Sequence, residues 1–176
     1  MKMLEQLQIH PVIPAYVVDD ADDDTVATGS YVCMKDFENL LVLVPFADGT
    51  ATSGDISLEV YQATDTSNSL SDAKVVNCLS TGRIYYKTHA TTIAAVGQWT
   101  AATQATADEV YTDATSGEKI GMIALEIFAS DLDVTNGFDC VRVDMGSVTS
   151  AKLVCPLYIL GGAKINADPT LMPSVL

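Results

Sequence analysis

Two stretches of this 176-residue chain alternate apolar and polar side chains with a period of two. In Ile56–Ala63, Ile56, Leu58 and Val60 fall on one side and Ser57, Glu59 and Tyr61 on the other. In Phe138–Met145, Asp139, Val141, Val143 and Met145 share one side, and Phe138, Cys140, Arg142 and Asp144 share the other. Successive side chains of a strand point to opposite faces, so both stretches read as strands, and Ile56–Ala63, with its one apolar face, as a half-buried one. No long pattern of period 3.6 and no solenoid repeat accompanies them.

The remaining segments extend the same reading. Leu40–Phe46 is a continuous apolar run, which suits a strand buried on both faces, and Asp48-Gly49 ends it with a turn signal. Ser30–Met34, Val75–Leu79 and Arg83–Thr88 are shorter strand candidates. Lys119–Ala129 alternates in part, and Asn136-Gly137 predicts a tight turn before Phe138. Leu153–Leu160 is apolar but carries Pro156, which predicts a bulge or an edge position. Thr88–Gly117 is rich in Ala and Thr and favours strands and long loops over helix. Roughly eight to ten short strands at this spacing predict an all-β chain: an antiparallel β-sandwich or jelly-roll with extended N-terminal and C-terminal arms. The expected organisation is an arm with an acidic loop over 1–28, a sandwich over 29–162 and a tail over 163–176.

Composition removes several functions. Lys+Arg total 9 against 23 Asp+Glu, a formal net charge of −14. Phosphate contacts need a basic surface, so neither nucleic acid nor an anionic membrane is an expected partner. Charged residues are 18% and hydrophobic residues 48%, which suits a packed core rather than a disordered chain. The apolar run Leu40–Ala47 is far short of the roughly 20 residues a helical span needs. The N-terminus lacks a continuous apolar stretch of the kind a signal peptide carries. Cys33, Cys78, Cys140 and Cys155 form no CxxC pair and sit in or beside apolar runs. They read as buried free thiols in a chain that matures in a reducing cytosol, with disulfides or a zinc site as the alternatives.

Candidate chemistry is sparse. Asp19-Asp20-Ala21-Asp22-Asp23-Asp24 could collect a hard cation, but nothing in the sequence converges its carboxylates, and mutual repulsion predicts an open, solvated block. Asp131–Gly137 begins like a calcium loop. Its glycine comes one place late, however, and Arg142 stands where the bidentate Glu belongs, so a turn is the better reading. Gly117-Glu118-Lys119 lacks the rest of a phosphate loop. A general base would have to be His10, next to Pro11, or His89, in a Thr-rich loop, and both read as surface histidines. Glu126, between Leu125 and Ile127, is the one carboxyl in an apolar setting, and the solvent face of an alternating strand explains it better than acid catalysis. No catalytic residue, no cofactor and no metal ligand is expected.

Three blocks carry a resemblance. They are Gly29–Phe37 with the following Leu40–Phe46 run, Leu58–Asp65, and Asp131–Val143 with Leu157–Gly162. Together they resemble small virion proteins of tailed bacteriophages encoded among head genes, the capsid decoration (cement) proteins. The resemblance spans about Gly29–Gly162. It implies a β-sandwich or jelly-roll subunit, acting as a trimer, that is assembled in the host cytoplasm and sits on the outer capsid surface against the major capsid protein. It brings no catalytic residues. The net charge agrees, because an acidic protein is repelled by packaged DNA. A contact of standard size buries roughly 1,600 Å², and several per oligomer would add avidity. The proline-bearing segment Ile9–Val18 is the expected strap, with Ile9, Val12, Ile13, Tyr16 and Val17 as partner-binding residues; an edge strand of the chain's own sandwich is the equal alternative. Two other classes stay open: a neck, tail or fibre-base subunit, and a carbohydrate-binding jelly-roll module.

Overall fold

A computed structural model describes residues 12–14, 19–20, 29–47, 56–67, 73–76, 83–89, 99–103, 109–113, 120–146 and 153–164. Every pairing among them is antiparallel, and the strands form two sheets packed into an all-β sandwich. The larger sheet has the order β1 (Val12–Pro14), β13 (Leu157–Ala163), β4 (Phe37–Phe46), β10 (Ile120–Phe128), β7 (Ile84–His89) and β8 (Thr100–Ala102). At one end β12 (Leu153–Val154) also pairs with β4, and β2 (Asp19–Asp20) pairs with β12. The smaller sheet runs β3 (Val32–Cys33), β11 (Cys140–Met145), β5 (Ile56–Ala63). Two strands share the far side of β5: β6 (Lys74–Val75) at Tyr61–Gln62 and β9 (Glu109–Asp113) at Ile56–Glu59.

Both alternating stretches form strands with the expected core side, but β5 is half-buried whereas β11 is buried on both faces. Ile56, Leu58 and Val60 of β5 and Val141, Val143 and Met145 of β11 all point into the core. Leu40, Val42, Val44 and Phe46 of β4 and Ile123, Leu125 and Ile127 of β10 meet them from the larger sheet. Fully burying one such side chain stabilises the fold by roughly 1.5–3 kcal/mol, so this cluster supplies the main driving force for closure.

Three expectations change. Leu40–Phe46 is not buried on both faces: Leu41, Leu43 and Pro45 alternate outward and are only half-buried. β4 sits in the middle of its sheet, so its run is apolar on two faces of which one alone meets the core. Pro156 produces no bulge against β4, because Val154↔Phe46 and Leu157↔Leu43 keep one register through it. On the side away from β4, β1 pairs after the proline and β2 before it, and their registers differ by two residues across it, so the expected irregularity lies on that side. His89 closes strand β7 opposite Ile120 rather than lying in a loop.

The Asp131–Gly137 segment lies in the connection from β10 in one sheet to β11 in the other. The whole connection, residues 129–139, contains two 3-10 turns, Ala129–Asp131 and Val134–Asn136, and Gly137 ends the second in the left-handed region at φ 84°, where glycine carries no Cβ penalty. Its carboxylates are internally engaged. Asp131 pairs with Arg83 and accepts the Phe128 N–H at 2.7 Å. Asp133 pairs with Lys74 and accepts from Asn136 Nδ2 at 2.8 Å, which together hold its carboxyl below the usual range. The arrangement is a braced crossover between the two sheets, longer than the tight turn expected, and Asp131 and Asp133 both have partners within the chain.

Candidate functional site

The outward rows of the larger sheet are the unusual surface. An antiparallel sheet with one solvated face normally alternates apolar-in and polar-out. Here the cross-strand rows on the outside read Leu157–Leu43–Ala124–Tyr85, Ile159–Leu41–Glu126 and Pro45–Met122–Lys87. Leu41, Leu43, Pro45, Met122, Ala124, Leu157 and Ile159 are half-buried, whereas Tyr85 and Glu126 are exposed. The apolar character continues into a groove of about 370 Å³ at the end of the sheet, walled by Pro45, Ala47, Ile120, Met122, Leu153 and Cys155 among others. Leu153 is 51% exposed there. Contiguous exposed or half-exposed apolar surface of this kind marks a contact for another surface. It offers shape and dehydration, alongside the Glu126 carboxylate, the Lys87 amine and the Cys155 thiol.

The outward rows of the smaller sheet are built differently. Glu59 and Tyr61 of β5 stand opposite Asp144 and Arg142 of β11. Arg142 and Asp144 are nonetheless 1% and 3% exposed. The guanidinium donates to Asp144 Oδ2 at 2.7 Å, and Gly29 N–H donates to Asp144 Oδ1 at 3.0 Å. The Tyr31 ring lies 4.8 Å from the guanidinium carbon and the Tyr61 ring 5.5 Å. Gly29 has to be glycine for this approach, since a Cβ there would stand 2.4 Å from the Val143 carbonyl oxygen. Burial lifts the Asp144 carboxyl above its ordinary range against the opposing pull of Arg142 and the Gly29 N–H. A buried, closed ion pair of this kind positions chain segments; it has no open side for a substrate.

Across β11 from this pair, Tyr158 of the larger sheet accepts the Val143 N–H at 2.8 Å, and its burial pushes the phenol up from its usual value. A further cluster lies where β3 meets β11. Cys33, Asp139 and Cys140 bring two Sγ atoms and a carboxylate oxygen within 4.8 Å of one another. Burial, then the neighbouring Cys33, push the Cys140 thiol up.

The expected partner-binding residues are only partly covered. Val12 and Ile13 lie in β1, whose backbone pairs with Ile159 and Tyr158 at the edge of the larger sheet. Ile9, Tyr16 and Val17, His10, and Asp22–Asp24 lie outside the described residues, while Asp19 and Asp20 form β2 opposite Val154 and Leu153. Glu126 is exposed, in line with a solvent-face residue. The apolar outer rows were hidden inside the Leu40–Phe46 run. Nothing local in the sequence signals that Cys33 faces Cys140.

No family model and no curated protein matches the chain. Among solved structures, the crystal structure of the SPBc2 prophage-derived protein YomS aligns over 85% of this chain and 92% of its own, at 11% identity and a TM-score of 0.40. A likeness at that level carries no argument about function.

Proposed function

We propose that this chain is a structural protein of a tailed-bacteriophage virion, of the capsid decoration type, which binds the outer capsid surface and bridges adjacent capsomers. The observation that carries this reading is the predominantly apolar outer face of the larger sheet. It agrees with the sequence resemblance of Gly29–Gly162 and with a charge of −14 that favours the outside of a DNA-filled shell. In this reading the major capsid protein covers the rows around Leu43, and the edge strand β1 extends the contact with Val12 and Ile13. The subunit works as a trimer and mechanically: a shell under internal pressure fails where capsomers part, and each bridge adds interface that must break first. It performs no catalysis and uses no cofactor.

Cryo-electron microscopy of the assembled particle tests this. The expected result is subunit density over the whole head, with the larger sheet turned toward the shell. Density confined to a vertex or the tail would make the chain a neck, tail or fibre-base component, and absence from the particle would overturn the virion reading.

A sugar-binding role has one observation in its favour. Tyr85 and Trp99 are 38% and 44% exposed at the β7–β8 margin, with Lys87 Nζ 5.7 Å from the Trp99 ring centre. Exposed aromatics are what a glycan platform uses, and a glycan array without hits would remove that reading.

A further inference from the structure

Cys33 and Cys140 stand directly opposite each other on β3 and β11. The next pair along, Met34 and Asp139, is joined by a Met34 N–H to Asp139 carbonyl bond of 2.7 Å. Hydrogen-bonded and non-hydrogen-bonded pairs alternate along an antiparallel ladder, so Cys33/Cys140 occupies a non-hydrogen-bonded position. There the two Cα atoms are about 4.5 Å apart, and the side chains project on one face at closest approach. That separation lies inside the roughly 4.4–6.8 Å that a disulfide spans. Both thiols are free, Cys33 half-buried and Cys140 buried, and the Cys140 thiol donates to Asp139 Oδ1 at 3.4 Å.

We propose that Cys33 and Cys140 are a cross-strand redox pair, reduced when the chain is made and closed to a disulfide when it meets a small-molecule disulfide outside the reducing cell. The chemistry balances in two exchanges. The Cys33 thiolate, on the more accessible side, attacks one sulfur of RS–SR, forming Cys33–S–S–R and releasing RS⁻. The Cys140 thiol then loses its proton, and its thiolate attacks Cys33 Sγ and expels the second RS⁻. Two protein thiols are oxidised by two electrons, and one RS–SR is reduced to two RSH once both leaving groups take up protons. Burial of the Cys140 thiol keeps it from being the first attacker, which fixes the order.

The link has a structural consequence. β3 follows directly on Gly29–Tyr31, which seals the Arg142–Asp144 pair, and only two residues of β3 pair with β11. A covalent bond at Cys33 fixes that cover to the central strand of its sheet. It also closes a loop of about 100 residues, the length at which cross-linking restricts the unfolded chain strongly. The inference does not depend on a virion role.

The test uses the full chain with glutathione disulfide as oxidant, followed by thiol titration, non-reducing peptide mapping and thermal unfolding. Of the four cysteines, two are expected to lose their thiols, with the Cys33 and Cys140 peptides joined. The unfolding temperature is expected to rise by about 5–10 °C and to fall back on reduction. Cys33→Ser and Cys140→Ser should each abolish the rise while folding like the reduced parent. Retention of all four thiols, a glutathione adduct held on Cys33 without closure, or pairing through Cys78 or Cys155 would overturn the proposal. So would stoichiometric Zn²⁺ uptake by the reduced chain that Cys33→Ser abolishes, because the trio with Asp139 would then be a metal site.

Discussion

The two outer faces of the sandwich share one pleat geometry and adopt opposite chemistry. On the smaller sheet the outward positions are polar in sequence, yet Arg142 and Asp144 are buried, because Gly29 and Tyr31 of the same chain close over them. On the larger sheet the outward positions are apolar, yet they stay half-exposed. Polarity along a strand therefore does not decide which face is covered. A polar face covered by its own chain has to supply each group with a partner, since an unpaired buried charge is severely destabilising. An apolar face makes no such demand and can wait for another surface.

The largest effect should come from breaking the covered face. Asp144→Ala leaves the Arg142 guanidinium buried without its carboxylate and Gly29 N–H without its acceptor. Removing one partner of a buried pair typically costs about 3–5 kcal/mol, measurable as a drop in the urea midpoint at unchanged slope. Replacing both, Arg142→Met with Asp144→Leu, should recover the part of that loss due to the stranded charge, while the Gly29 N–H still lacks its acceptor. A single variant as stable as the parent would mean that water reaches the pair and that the two faces do not differ as described.

A smaller contrast lies within one strand. Leu40 points into the core with no exposed surface, and Leu40→Ala should cost about 2–5 kcal/mol. Leu43, three residues on and facing outward, is half-buried, and Leu43→Ala should cost about 1 kcal/mol or less. Chemical denaturation of the two variants sharpens the comparison. Equal losses would show that the outer rows are packed as a second core. On the proposed function, Leu43→Glu keeps the fold and loses attachment to the shell.

These contrasts also explain how far the sequence could be read. Where one face of a strand is apolar and the other polar, as in Ile56–Ala63, periodicity alone identifies both the strand and its core side. In Leu40–Phe46 both faces are apolar, and hydrophobicity cannot distinguish a face that meets the core from one kept for a partner. Phe138–Met145 sorted its side chains correctly, but the burial of Arg142 and Asp144 depends on Gly29 and Tyr31, more than a hundred positions away. The Cys33–Cys140 opposition is equally remote, because register between distant strands leaves no local trace. Strand order was illegible for the same reason. The acidic Asp131 and Asp133 were separable from a calcium loop by spacing, while their bracing by Arg83 and Lys74 was not.

The smallest effect tests how tightly the polar face is organised at its margin. Tyr61 donates its phenolic proton to Glu59 Oε2 at 2.6 Å. That hydrogen bond, then partial burial and the nearby Glu59 and Asp144 charges, push the phenol from 10 to about 12, with Arg142 pulling the other way. A folded pKa above the unfolded one means that this contribution to stability is complete below pH 10. It is lost as pH rises from 10 to about 12, because the unfolded chain releases its proton first. The chain has seven tyrosines, so Tyr61→Phe is needed to assign its component of a near-ultraviolet phenolate titration. Glu59→Gln should bring that component back toward 10, since the amide neither repels the phenolate nor accepts as strongly. A native chain in which Tyr61 already ionises near 10 would place the whole margin of the smaller sheet in free exchange with water. The covered face would then end at Arg142, and the difference between the two outer faces would shrink to that one pair.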